Sequence, residues 1–446
     1  MGDTDLPTDR LDSFLRDWLA EEGLPGLSVA VVDPAELVYA TGYGSRDLAS
    51  NAPATGETLY GVGSVTKAFT ALAVLQLHER GALDVAGPIA EYVPFELGED
   101  VTLHELLTHS SGLPSLAVSE ALIARRAGLG EAGVPLGDDG DFYAHVNGAG
   151  DERVADPGEE FFYFNSGYTM LADAVEAADG RPFSRYVEQA VLAPLGMDRS
   201  TFDPERFAET DDAMTPYDAE EGLEPVDLPV RELSDGPGGL LASVADLGQF
   251  LRLQMGDGSV DGERLIDPES LDRMHAGHVD TPAGPYGYGW RRRDLLDRTL
   301  VGHAGSIGVS TAYVGFLPDE DLGVALACNA APDHSLYHPA AGALAVLLGD
   351  GPEAVPFFER RERLDSLTGT YESYRGIRQA TVERDGEVLR LAFEDAFPQS
   401  LVVVPDGDGF YTLAPDGTRR PVAFDESGDD VDLRYERWRL HRVGDV

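Results

Sequence analysis

Ser64 and Lys67 are the residues whose types and spacing point most directly to chemistry. The Gly-rich segment Tyr60-Gly61-Val62-Gly63-Ser64 runs into a long apolar stretch reaching Leu83, of helical length and character, with Gly81 as its stop. Residues three apart on a helix share a face, so Ser64 and Lys67 should be neighbours. A serine hydroxyl is a poor nucleophile until a base takes its proton. A lysine amine can be that base only when neutral, although its free pKa is about 10.4. Burial and the positive end of a helix both push that value down. The same residues also suit a helix N-cap followed by an ordinary surface cation. Two features favour the chemical reading. Cations belong at the C-terminal end of a helix, and Lys67 stands in the first turn. Lys67 is also the only lysine in the chain, every other basic residue being arginine. Arginine does not deprotonate in proteins and cannot serve as a general base.

Elements must position this pair. Residues 10–22 read as an amphipathic helix with Leu11, Phe14, Leu15, Trp18 and Leu19 on one face. Leu27 to Val32 and Leu37 to Tyr43 read as a hairpin turning at Asp33-Pro34. Thr102-Leu103-His104-Glu105 is a capping box for a helix expected to end near Gly112. Residues 115–155 are rich in Gly, Ala and Asp and resist assignment. Gly167 to Ala178 reads as a helix closed by Gly180, and Ser243-Val244-Ala245-Asp246 opens another to about Met255. Leu300 to Val301, Thr311 to Phe316 and Leu322 to Cys328 carry strand signals, and Ala340 to Leu348 is a short apolar helix. Strands at both ends with helices between predict one sheet built from both ends, with a helical insertion.

The character changes after Gly349-Asp350-Gly351-Pro352. From Leu367 the chain reads as short strands separated by Asp385-Gly386, Asp406-Gly407 and Asp416-Gly417 turns. The expected division is a catalytic domain over 1–350 and an all-β domain over 358–446, with a linker between about 350 and 365.

The chain holds 80 acidic residues against 33 basic ones, a formal net charge of -47. Such a surface repels nucleic acid and anionic membranes, so neither is an expected partner. The acid is spread along the whole sequence, a pattern suited to a salt-rich cytoplasm where counterions screen self-repulsion. The N-terminal segment has neither a basic n-region nor an apolar h-region, and no stretch reaches the length of a membrane span, which predicts a soluble intracellular protein. One cysteine, Cys328, excludes an internal disulfide and reads as a buried strand residue. No G-x-S-x-G elbow is present. The pairs His275/His278 and His334/His338 lack the further ligands of a metal site and read as solvated loops. No metal or cofactor is called for.

Ser64-Val65-Thr66-Lys67 resembles the first motif of the serine β-lactamase and penicillin-binding superfamily. Tyr163-Phe164-Asn165 resembles its Tyr-x-Asn element, His303-Ala304-Gly305 its third motif in the His-x-Gly form, and Leu106 to Leu113 a further signature. The resemblance spans roughly residues 10–348. It is nearest the branch of class C β-lactamases, D-Ala-D-Ala carboxypeptidases, D-aminopeptidases and related esterases.

The resemblance implies an α/β (α+β) fold: an antiparallel sheet flanked by helices, a helical subdomain, and an active site between the two. The reaction it implies is acyl transfer through an acyl-enzyme on Ser64. Tyr163, as a phenol beside an ammonium, would ionise more easily and relay protons. Asn165 would bond Lys67 or a substrate amide, or cap its helix. His303 would line the cleft from an edge strand, or be a satisfied strand-end histidine. The backbone N–H groups of Ser64 and Ser306 would form the oxyanion hole, and Gly305 would admit a close approach. His109 would stabilise the loop around Thr108-Ser110-Ser111, and Asp235 to Gly239 would be a tight turn near the site. Histidine where β-lactamases of the family carry lysine favours small esters, D-amino-acid amides or short peptides as substrates. β-Lactamase or D,D-peptidase activity is the alternative, and a non-catalytic sensor on the same scaffold is another. Oligomeric state and the role of the β domain are left open.

The charge generates a test of its own. Thermal midpoints should rise steeply as KCl goes from about 0.1 to 2 M, where the Debye length falls from about 10 Å to a few. A flat melting curve series would mark the acidity as incidental.

Overall fold

The computed structural model describes residues 6–97, 100–127, 138–219, 222–230, 234–260, 262–394, 398–427 and 430–445. The chain divides into two compact units, Met1–Asp350 and Gly351–Val446. In the first, helix α1 (Thr8–Glu21) precedes strands β1 (Gly26–Val32), β2 (Leu37–Asp47) and β3 (Ala52–Pro53). Helices α2 (Thr66–Glu79), α3 (Leu103–Leu107), α4 (Val118–Ala127), α5 (Asp139–Asn147), α6 (Asn165–Asp179) and α7 (Val244–Met255) follow, among shorter elements. Strands β4 (Arg291–Leu295), β5 (Arg298–Ser306), β6 (Thr311–Leu317) and β7 (Leu322–Cys328) return to the sheet before helix α8 (Tyr337–Leu347).

The sheet is seven-stranded in the order β4-β5-β6-β7-β1-β2-β3, so its two halves join where β7 pairs with β1, Leu27 opposite Cys328. Every neighbouring pair is antiparallel. β1, β6 and β7 are buried along their whole lengths, which requires cover on both faces. Helices α1 and α8 pack together on one side, and α7 packs against β1, β2, β6 and β7 on the other. The alternation is visible in the core: Ala30, Val32, Ala312, Val314, Ala325 and Ala327 join one large cluster with α2 and α7, while their strand neighbours do not.

Three local readings differ from expectation. The helix opened by Thr102 has its capping box but stops at Leu107, not near Gly112. His109 takes a left-handed backbone (φ 59°), which a helix cannot continue through. Ser243 caps α7 by accepting from the Asp246 N–H at 3.1 Å, yet only half of the reciprocal motif forms. The Asp246 carboxylate instead accepts from the Ser200 N–H and hydroxyl at 2.9 and 2.7 Å. The unassigned stretch 115–155 contains α4 and α5, and residues 128–137 of it lie outside the described residues.

Cys328 is buried, and burial pushes its thiol up to about 11. The paired histidines are held by protein partners instead of being solvated: His275 meets Gln254 Oε1 at 2.8 Å, His278 donates to the Arg273 carbonyl at 2.8 Å, and His334 meets Glu22 at 2.8 Å. Among the described residues no cluster of three or more His, Cys, Asp or Glu side chains could hold a metal ion, and no helix is long and apolar enough to cross a membrane.

The second unit is a closed eight-stranded antiparallel barrel whose first strand, Gly369–Glu372, pairs with its last, Trp438–Gly444. All three expected turns hold left-handed glycines, at Gly386 (φ 61°), Gly407 (φ 59°) and Gly417 (φ 81°). Helix α9 (Pro356–Ser366) occupies most of the stretch expected to be linker, and its Leu364 is buried in the barrel core. Limited proteolysis should therefore cut at Gly349 to Gly351 and spare 356–366. The fragment 1–350 should keep a cooperative thermal transition. Cleavage inside α9, or unfolding of 1–350 alone, would refute the division.

Candidate active site

Ser64 sits in a 3₁₀ turn, Gly63–Val65, that feeds directly into α2. Lys67 is wholly buried at 0% exposure. Its Nζ lies 2.9 Å from Ser64 Oγ and 2.8 Å from the Pro237 carbonyl oxygen. A carbonyl only accepts, so Lys67 donates to Pro237. The lone pair of a neutral amine is then free to take the Ser64 proton. Burial holds the Lys67 amine well below its usual 10.5, against a smaller opposing pull from Glu120. The rings of Tyr163 and Tyr168, centred 4.8 and 5.4 Å from Nζ, complete the enclosure.

Two further bonds fasten this helix start to the loop after the one-turn helix Asp235–Gly238. Thr70 Oγ1 donates to the Gly236 carbonyl at 2.7 Å, and Leu240 N–H donates to Thr66 Oγ1 at 3.2 Å. The expected tight turn is thus present, with a part in the site that the sequence did not suggest.

Tyr163 lies two residues before α6, and its phenol meets the Ser64 side chain. Burial raises its pKa, and the Ser64 contact only partly offsets that. This reverses the expectation of an easily ionised phenol. Desolvation of the phenolate is the largest influence on the ring and decides the sign. Asn165 opens α6 and lines the cleft, and Phe164, not Asn165, is the capping residue.

The third segment lies along β5. A Cβ on Gly305 would stand 2.0 Å from the Val62 carbonyl oxygen and 2.7 Å from the Ser64 nitrogen. A Cβ on Gly63, whose φ is +52°, would stand 2.5 Å from the Ser306 nitrogen. These two glycines let the strand and the serine turn touch, which brings the backbone nitrogens of Ser64 and Ser306 to the same place. Paired N–H donors beside a nucleophile can hold the oxygen of a tetrahedral intermediate.

β5 is not an edge strand, because β4 lies outside it. The β4 pairing ends at Arg291 opposite Gly302, however, so His303 to Ser306 run past their neighbour. His303 itself is a satisfied histidine. Its Nδ1 donates to the Ala304 carbonyl at 2.7 Å, and its Nε2 accepts from the Tyr286 hydroxyl at 2.9 Å. The tautomer is set by that carbonyl. Burial takes its pKa down to about 3, so the ring is neutral.

The cleft is lined by Ser64, Asn165 and Ser306 with apolar Leu122, Val230 and Ile307. Sequence reasoning placed Pro237 in a turn near the site without a role there, and missed Tyr286 and Arg291. The Arg291 guanidinium stacks 5.5 and 5.3 Å from the Phe161 and Tyr286 ring centres. Neither Tyr286 nor Arg291 stands in a motif; only the fold brings them to the site.

A model of the β-lactamase family matches residues 11–348, and one of the Pab87 octamerisation domain matches residues 352–441. The octameric penicillin-binding protein homologue from Pyrococcus abyssi is 35% identical in sequence and superposes with a TM-score of 0.89, over 98% of this chain and 100% of that one. The D-alanine carboxypeptidase AmpC from Burkholderia cenocepacia, at 20% identity, shares the fold with a TM-score of 0.64 over 77% of this chain and 98% of its own. Protein flp of Staphylococcus aureus (strain MW2) is 27% identical over 72% of this chain, which spans 62% of the length of that relative. Penicillin-binding protein 4 of Amycolatopsis lactamdurans is 27% identical over 80% of this chain and 95% of its own. With its serine turn, buried lysine and glycine-bearing strand in one cleft, and a family match from residue 11 to 348, this chain belongs to the β-lactamase family.

Proposed function

We propose that this protein is a serine hydrolase that forms an acyl-enzyme on Ser64. The observation that carries the reading is the fully buried Lys67 amine 2.9 Å from the Ser64 hydroxyl, with one hydrogen committed to Pro237 and burial favouring its neutral form. Lys67 takes the Ser64 proton as Oγ bonds to the substrate carbonyl carbon. The N–H groups of Ser64 and Ser306 hold the resulting oxyanion. Tyr163, kept protonated by burial, gives its proton to the departing group as the carbonyl-to-leaving-group bond breaks, and recovers one from Lys67. Water then attacks the ester, Lys67 takes its proton, and the released serine oxygen is reprotonated.

The substrate class we favour is a small ester, a D-amino-acid amide or a short peptide with an apolar acyl part. Leu122, Val230 and Ile307 beside Ser64 support that choice, as does a neutral His303 in place of a third-motif cation. D,D-peptidase activity is a second reading, favoured by the half-buried Arg291 cation beside the site, which suits a carboxylate-ended substrate. We also propose that the barrel joins copies of this chain, on the strength of its match to an octamerisation domain, and that the protein works in a salt-rich cytoplasm. The deciding assay is a panel of p-nitrophenyl esters, D-amino-acid p-nitroanilides and a chromogenic cephalosporin in molar KCl. Turnover should be lost in Ser64→Ala, and a fluorophosphonate should label Ser64. Labelling elsewhere, or an active alanine variant, removes the nucleophile assignment.

Arginine in place of Lys67 stays protonated and cannot take a proton, so Lys67→Arg should lower kcat by about 10²–10⁴. A base works only when deprotonated, so wild-type kcat/KM should rise with pH through the Lys67 titration, well below 10.5. Retention of more than a tenth of turnover in the arginine variant would place the base elsewhere.

Tyr163→Phe should distinguish leaving groups. Alkyl esters, whose alkoxide needs a proton, should lose about 10²-fold or more, and p-nitrophenyl esters much less. Equal losses on both would remove the acid role.

A further inference from the structure

The mechanism above leaves one buried, strained and titratable residue unused. His109 is fully buried, with a left-handed backbone (φ 59°) that costs a non-glycine residue energy. Its carbonyl accepts from the Phe162 N–H at 2.8 Å, and its Nδ1 accepts from the Phe164 N–H at 3.0 Å. These are the residues immediately before and after Tyr163. Nδ1 accepts, so the ring proton is on Nε2, which is buried without a hydrogen-bond partner among the described residues. The ring lies 4.3 Å from that of Tyr163 and 5.0 Å from those of Tyr168 and Tyr286. A ring that forgoes one hydrogen bond and holds a strained backbone has a cost the fold tolerates for some return.

We infer that His109 is a positioning residue for Tyr163: it grips the backbone on both sides of the tyrosine and backs its ring, so that the hydroxyl stays on Ser64. The inference rests on the acid role proposed for Tyr163. Burial pulls the His109 ring well below the usual histidine range, which favours the neutral form whose Nδ1 lone pair accepts from Phe164. The segment before α6 has no helix or strand to hold it, and its backbone contacts with residues 109–110 stand in for one. The sequence singled His109 out as a loop support, but its grip on the backbone around Tyr163 comes from the fold.

The test is a double-mutant cycle with two esters. His109→Gly suits the left-handed backbone and removes ring and acceptor; His109→Asn suits it and returns an acceptor oxygen. Each is made alone and with Tyr163→Phe, and hydrolysis of a short alkyl ester (in a pH-stat) and of p-nitrophenyl acetate is followed in molar KCl. His109→Gly should lower kcat on the alkyl ester by about 10–100-fold, with KM within about twofold and a much smaller loss on p-nitrophenyl acetate. His109→Asn should recover most of that. In the Tyr163→Phe background the glycine change should cost about twofold or less, because its target is gone. A loss equal for both esters, or one that adds in full to Tyr163→Phe, overturns the inference. His109→Ala takes the same place in the cycle if His109→Gly does not fold. Wild-type turnover in Ser64→Ala would overturn the acyl-enzyme reading itself, and is scored separately from the coupling.

Discussion

A primary amine kept out of water is the constraint on which the rest depends. Removing a charged ammonium from water costs far more than removing a neutral amine, so the fold selects the basic form by enclosing it. Enclosure has structural demands. α2 is buried all round from Thr66 to Leu77, unlike a surface helix with one polar face. It therefore needs neighbours on every side: the sheet and α7 on one, α6 and its companions on another. Phe69 stacks on Phe250 of α7 at 3.8 Å, and α2 packs against α6. The two-part architecture of the first unit is what such a helix requires.

Close backbone approach is the second demand. Gly63 and Gly305 face each other across a gap no side chain could enter, and each would strike the other's segment if it carried a Cβ. The nucleophile turn is thereby anchored by contact with a strand, while the amine is held by the Pro237 carbonyl and its helix by the Thr66 and Thr70 bonds. Rigid placement of this kind lets modest chemical groups act, because their geometry is settled before substrate arrives.

How much of this was legible in the sequence follows from what each residue depends on. Strands β1, β2, β6 and β7, helices α1, α2, α6, α7 and α8, and the Asp-Gly turns of the barrel announced themselves because local periodicity and turn chemistry determine them. Ser64 and Lys67 were legible because three-residue spacing on a helix is a local fact, sharpened by the absence of any other lysine. Tyr163 was found but its titration was read with the wrong sign, since burial is a property of the fold and not of the motif. β4, with three arginines in Arg291-Arg292-Arg293, looks nothing like a strand, and its pairing with β5 supplies what local pattern lacks. α9 was hidden because Gly351 and Pro352 mark a boundary, and the helix after them draws its stability from the barrel core. Pro237 contributes only a carbonyl, which every residue type possesses, so no sequence signal could have singled it out.

The barrel of the second unit has its first and last strands paired, Tyr371 opposite Arg442. An open sheet ends in a row of unsatisfied amides that will accept a further strand from any chain, and growth by that route has no natural stopping point. A closed one has no such row. Whatever this unit adheres to must be met by side chains, among them the protruding Tyr374 and Ile377, each about three-quarters exposed. Growth by added backbone pairing is thereby closed off, and the symmetry of any side-chain contact would decide where an assembly stops. At a formal net charge of -47, copies brought together would repel one another unless counterions screened them.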